Sequence, residues 1–163
     1  MEGTWSGRIP NPRSTVHGAT TEAGSSPAKR SDQALERALL AARTAEDNRG
    51  RDIAVLDLRE LTTIFDYFVI ATGTSRRQLH AMSEEIDHAL EDGMGDRRLG
   101  IEGYDESRWI LLDYGDVVIH LFDAETRAYY GLEGLWGQAK RVPFEPRPAG
   151  PSVDSHRDQF ATE

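Results

Sequence analysis

The chain has 163 residues, room for one ordinary domain, and no cysteine, which excludes disulfides, thiolate metal sites and cysteine nucleophiles. Nineteen basic residues stand against 28 acidic ones, a net charge of −9. No apolar run nears the ~18 residues of a membrane span, and the first residues lack the pattern of a secretory signal, so a cytoplasmic protein is expected.

The charge is unevenly placed. Residues 1–31 carry Arg8, Arg13, Lys29 and Arg30 against Glu2 and Glu22, which leaves 15 basic and 26 acidic residues for the remainder. A surface of that sign repels phosphate backbones, so direct nucleic-acid binding is not expected and a basic protein is the better partner. Residues 1–31 are rich in Gly, Ser, Thr and Pro without hydrophobic period and read as a disordered extension. Pro10, Pro12, Gly18 and Gly24 leave no room there for the amphipathic helix of a transit peptide.

The folded domain is placed at 32–143, opening at Ser31 or Asp32 with a helix on Ala34, Leu35, Ala38, Leu39, Ala42 and Ala45 that ends at Asn48-Arg49-Gly50. Ile53–Leu58 has strand length, and Tyr67–Thr72, apolar on both faces, reads as a central strand. Ser75 and Gln78 form a capping box for a helix that turns Leu79, Met82, Ile86 and Leu90 inward and closes at Gly93 and Gly95. Arg98–Glu102 suits a short edge strand. Trp109–Asp113 and Asp116–Phe122 form a hairpin about Tyr114-Gly115, and Asp123 caps a last helix to about Glu133. The tail 144–163 is punctuated by Pro and Gly and reads as flexible. Helices separated by strands predict an α/β (α+β) mixed sheet with helices packed against it.

A two-residue turn at Tyr114-Gly115 sets Asp113 opposite Asp116 and Trp109 opposite His120. Alternation then gives one wholly apolar face, Ile110, Leu112, Val117, Ile119 and Leu121. The other carries Trp109, Leu111, Asp113, Asp116, Val118, His120 and Phe122, apolar groups interleaved with polar ones. Two arrangements answer for such a face: an interface with an aromatic anchor and a polar rim, or the final helix laid over it with only its ends exposed. Tyr129, Tyr130 and Trp136 add aromatic groups nearby.

Chemistry is sparse. Gly73-Thr74-Ser75 between strand and helix resembles the phosphate-receiving turn of nucleotidyltransferases, but no D-x-D pair for metal ions follows on the next strand. His17, His80, His88, His120 and His156 show no metal-ligand spacing, and no nucleophile stands with His120 and the nearby aspartates. Neither catalysis nor a cofactor is predicted.

Three ordered segments, Asp66–Gln78, Glu102-Gly103 with Trp109–His120, and Tyr130–Gly137, closely resemble the signatures of the ribosomal silencing factor (RsfS, Iojap) family. The resemblance implies a nucleotidyltransferase-like fold without the catalytic carboxylates. It implies a partner as well: ribosomal protein fourteen of the large subunit, a basic β-barrel where the subunits meet. Seated there, such a factor sterically blocks joining of the small subunit and lowers translation when nutrients are scarce. Carried onto matching positions, the contact residues are Trp109, Leu111, Asp113, Asp116, Val118, His120, Tyr130 and Glu133, and some members of the family form homodimers. Gly134 stands where relatives usually carry a charged side chain. The alternative functions are a nucleotide-binding or residual nucleotidyltransferase module, and a homodimeric scaffold.

Overall fold

The computed structural model describes residues 26–145, so the readings made for 1–25 and 146–163 lie outside the described residues. In chain order the elements are α1 (Pro27–Asp47), β1 (Arg51–Asp57), β2 (Tyr67–Gly73), α2 (Arg76–Met94) and β3 (Gly100–Glu102), followed by β4 (Trp109–Asp113), β5 (Val117–Asp123), α3 (Ala124–Tyr130), α4 (Leu132–Leu135) and β6 (Lys140–Arg141).

The six strands make one sheet in the order β3-β4-β5-β2-β1-β6. The β2–β5 pair is parallel and the other neighbours are antiparallel. All seven residues of β2 are buried, as its unbroken apolar sequence requires of a strand covered on both faces. The predicted mixed α/β sheet is therefore the observed fold.

Helices α1 and α2 lie on one face. Alanines 34, 38, 41, 42 and 45 let α1 approach closely, and Leu79, Met82, Ile86 and Leu90 of α2 fill the space against Val69, Ile110, Leu112, Val117, Ile119 and Leu121. Each such large side chain contributes roughly 2 kcal/mol on burial. A helix cap is worth about 1 kcal/mol, so packing outweighs capping in holding α2. Ser75 accepts from the Gln78 N–H at 3.1 Å as the capping box predicts. Its reciprocal half differs: Gln78 Oε1 accepts from the Thr74 N–H at 2.7 Å, and Gln78 Nε2 donates to the carbonyls of Asn48 and Arg49. The cap thereby ties α2 to the turn after α1.

Several boundaries differ from expectation. Helix α1 starts at Pro27 behind the N-cap Ser26, within the stretch read as disordered, because proline suits the first helical position. The last helix is broken at Gly131 (φ 52°) into α3 and α4. Strand β6 was not foreseen.

The hairpin register is the main correction. Leu111 pairs with His120 and Trp109 with Phe122, and the Tyr114 N–H donates to the Val117 carbonyl, so the loop is Gly115-Asp116. Gly115 (φ 87°) takes the first loop position, which a type II′ turn reserves for glycine; the expected turn would have forced Tyr114 into positive φ. The slip is two residues, so every strand residue keeps its face.

Gly103 (φ 73°) lies where a Cβ would collide with the Trp109 carbonyl oxygen. Gly103→Ala should destabilise the fold by about 2 kcal/mol or more, since it combines backbone strain with a clash. Urea denaturation checks this, and an unchanged midpoint would contradict the packing described.

Candidate functional site

The second face of the sheet carries the candidate site. Trp109 and Leu111 from β4 and Val118, His120 and Phe122 from β5 lie in one layer with Phe68 and Ile70 of β2. The rings are closely assembled. Trp109 stacks on Phe122 with centroids 4.8 Å apart, His120 meets Phe68 edge-on at 4.6 Å, and Trp136 meets Phe68 at 5.7 Å. Tyr130 lies 4.9 Å from Trp109.

Of the expected contact residues, Trp109, Leu111, Val118 and His120 are brought together, but under a cover. The segment α3–α4 lies over them and Trp109 is only 7% exposed, so of the two arrangements compatible with this face the structure shows the final helix laid over it. The physical reason is the proximity of the final helix, whose Tyr130, Leu132 and Trp136 bury more apolar area by folding back than by projecting into water. What reaches solvent is the top of the cover: Tyr129 is 81% and Leu135 76% exposed.

Inside the layer, the Trp109 indole Nε1–H donates to His120 Nδ1 at 3.1 Å. The imidazole proton therefore sits on Nε2, which is buried and has no hydrogen-bond partner. Burial pushes the His120 pKa down to about 3, so the ring is neutral. A buried donor without an acceptor costs ~1–3 kcal/mol. The fold carries that cost at the centre of its candidate surface.

The remaining expected residues divide. Asp113 is half-buried and its carboxylate accepts from the Gly115 N–H at 2.8 Å. Glu102, opposite Leu111 on β3, shares this face; burial and then repulsion from Asp113 raise its pKa. Glu133 is held by the Arg127 guanidinium at 2.7 and 3.1 Å, which lowers its pKa. Asp116 is a turn residue outside the strand alternation. Its carboxylate takes Arg37 of α1 at 2.5 Å, alongside Asp96, so its assignment to the Trp109 face is corrected. The neighbouring Phe68 and Ile70 were missed because the β2–β5 adjacency, set by tertiary folding, has no local signal.

At the Gly73-Thr74-Ser75 turn, the Thr74 and Gln78 N–H groups are already bound within the chain, and Arg76 donates to the Asp105 carbonyl. His80 stacks on Tyr104, with Nε2 2.8 Å from the Tyr104 carbonyl and 2.6 Å from Ser107 Oγ. Among the described residues no group of three or more His, Asp or Glu side chains is arranged to hold a metal ion, and no helix is long and apolar enough to cross a membrane.

Comparison with known proteins places these features in a family. Residues 31–163 match the family described as "Ribosomal silencing factor during starvation". The chain is 45% identical over 101 residues to "Ribosomal silencing factor RsfS" of Bacillus subtilis (strain 168), covering 61% of this chain and 84% of that one. It is 36% identical over 115 residues to "Protein Iojap, chloroplastic" of Arabidopsis thaliana, covering 69% and 48%. A crystal structure of a Chromobacterium violaceum protein is similar with a TM-score of 0.61 and 37% identity, over 72% of this chain and 96% of that one.

The buried imidazole makes a pH prediction. Its folded pKa lies below the ordinary 6.5, so the unfolded chain binds the extra proton and stability falls as pH drops below about 6.5 toward 3. Between pH 7 and 5 this residue should remove about 2 kcal/mol. His120→Asn, which keeps an acceptor for the indole but does not titrate, should lose correspondingly less over that interval in urea titrations. Equal losses in the two proteins would show that His120 is not what senses acid.

Proposed function

The chain belongs to the ribosomal silencing factor family, and from that premise we propose that it docks on ribosomal protein fourteen of the large subunit. Seated there, it sterically blocks joining of the small subunit and so represses translation under nutrient limitation. The relatives carry the name of a regulatory factor rather than an enzyme.

The observation that carries the reading is the aromatic second face. Among the described residues it combines a Trp–His hydrogen bond and an orphaned N–H in the sheet with strongly exposed apolar side chains on the short helices above. Exposed Tyr and Leu beside a buried Trp supply the apolar centre of an interface. Asp113 and Glu102 supply an acidic margin, and the net charge of −9 favours encounter with a basic partner. On this reading Tyr129, Tyr130, Leu135, Asp113 and the rim of Trp109 touch the partner. While α3–α4 stays closed, Leu111, Val118 and His120 lie beneath these residues and support them. Asp116 acts at most through the turn that Arg37 holds.

The test is a sucrose gradient with added protein: it should travel with large subunits, and free subunits should accumulate at the expense of joined ribosomes. Trp109→Ala is a poor probe, because removing a buried indole costs roughly 3–5 kcal/mol of stability. Tyr129→Ser and Asp113→Lys alter exposed or marginal groups and should each weaken large-subunit binding tenfold or more while the fold persists. Wild-type affinity in both would move the docking surface elsewhere.

A further inference from the structure

We infer that α3–α4 is a displaceable cover, and that the partner's contact surface includes the layer beneath it, Phe68, Trp109, Val118 and His120. The inference rests on the docking reading proposed above and specifies how that surface becomes available.

The two faces of the sheet are closed very differently. On one, helices of 21 and 19 residues cover a predominantly apolar layer in which Val69, Ile110, Leu112, Val117, Ile119 and Leu121 are fully buried. On the other, the cover is two helical pieces of seven and four residues, separated by Gly131 in left-handed conformation. Helices this short do not stand without tertiary support. Each piece buries a single residue, Thr126 in α3 and Leu132 in α4, while Tyr129 and Leu135 remain outside. The polar ties between cover and sheet are peripheral: Arg127 donates to Thr72 Oγ1 at 2.7 Å and to the Glu133 carboxylate, Arg141 of β6 reaches Glu133 at 3.4 Å, and Asp123 at the end of β5 caps α3. Segments with few buried groups open locally well before the whole fold does.

What lies beneath favours opening. The closed state withholds any acceptor from His120 Nε2–H. Lifting the cover gives that donor water, or an acceptor on the partner, while the Trp109–His120 bond within the sheet survives. The partner that fits brings an apolar surface with one hydrogen-bond acceptor, a carbonyl or a carboxylate, placed to meet the imidazole.

The absence of cysteine makes the test direct. Val118→Cys places a single thiol under α3–α4, and Val69→Cys places one under α1–α2 by the same substitution. In the free, folded protein, iodoacetamide should alkylate Cys at 118 at least tenfold faster than at 69. Purified large subunits should then slow the reaction at 118 at least tenfold. Equal rates at the two positions overturn the displaceable cover. A faster rate at 118 that bound subunits leave unchanged overturns the layer as contact surface. Failure of the protein to pellet with subunits overturns the docking reading instead, a result separate from the rate comparison made without them. Should Val118→Cys not fold, hydrogen exchange of the wild-type chain decides: amides of 126–136 must exchange at least tenfold faster than those of β2 and β5, and parity overturns the proposal.

Discussion

The second face of the sheet is organised by the hydrogen bond from the Trp109 indole to His120 Nδ1. It joins β4 to β5 diagonally, since Leu111 rather than Trp109 stands directly opposite His120. By taking the indole proton at Nδ1 it commits the imidazole proton to Nε2, where nothing receives it. It also holds the indole where Phe122 stacks on it and Tyr130 packs against it at a tilt. A phenylalanine at 120 would fill similar space and strand the indole N–H instead. The polar pair thus exchanges one unsatisfied donor for another, moved from the indole to the imidazole.

One sheet therefore serves two purposes. The face under α1 and α2 is chemically uniform and supplies stability through Leu79, Met82, Ile86 and Leu90. Because that face secures the fold, the other can tolerate an orphaned donor and an abbreviated cover. The Arg37 guanidinium, bridging Asp96 and Asp116, reinforces the same division. It pins the hairpin turn to α1 and draws Asp116 away from the aromatic layer. A partly buried guanidinium held by two carboxylates at once has geometry that a lone surface pair lacks, so the turn is held to α1 from two sides.

Much of this was legible in the residues. The inward side of α2 and both hairpin faces follow from periodicity, and the faces survived a wrong register because a slip of two residues preserves parity. Asp116 was misassigned because alternation says nothing about a residue that has left the strand. The signal for the true start of α1, Ser26 before Pro27, was present but masked by the Gly/Ser/Pro composition around it. Gly131 announced the break between α3 and α4 only in retrospect, since glycine inside a helical pattern is tolerated as often as it ends one. The cover itself was one of two arrangements compatible with the pattern. Choosing between them requires knowing where Tyr130, Leu132 and Trp136 land, which is a property of tertiary folding and not of local sequence.

Charge and apolar surface are also kept apart along the chain, and under the proposed docking the separation has a consequence. Residues 128–139 hold a single charged side chain, Glu133, and Arg127 and Arg141 neutralise it. From Ala128 onward the outer surface of the cover is thus nearly free of net charge on a strongly acidic molecule, Glu125 standing at its start. Acidic groups distributed elsewhere attract a basic partner over distances approaching the Debye length and set the rate of encounter. That stretch, with Tyr129 and Leu135 outward, carries little net charge that must be desolvated, so it governs how long the partner stays. A substitution that placed a lysine at 129 would add favourable charge for neither purpose: it would weaken the acidic field slightly and put an ammonium group into the contact meant to be dry.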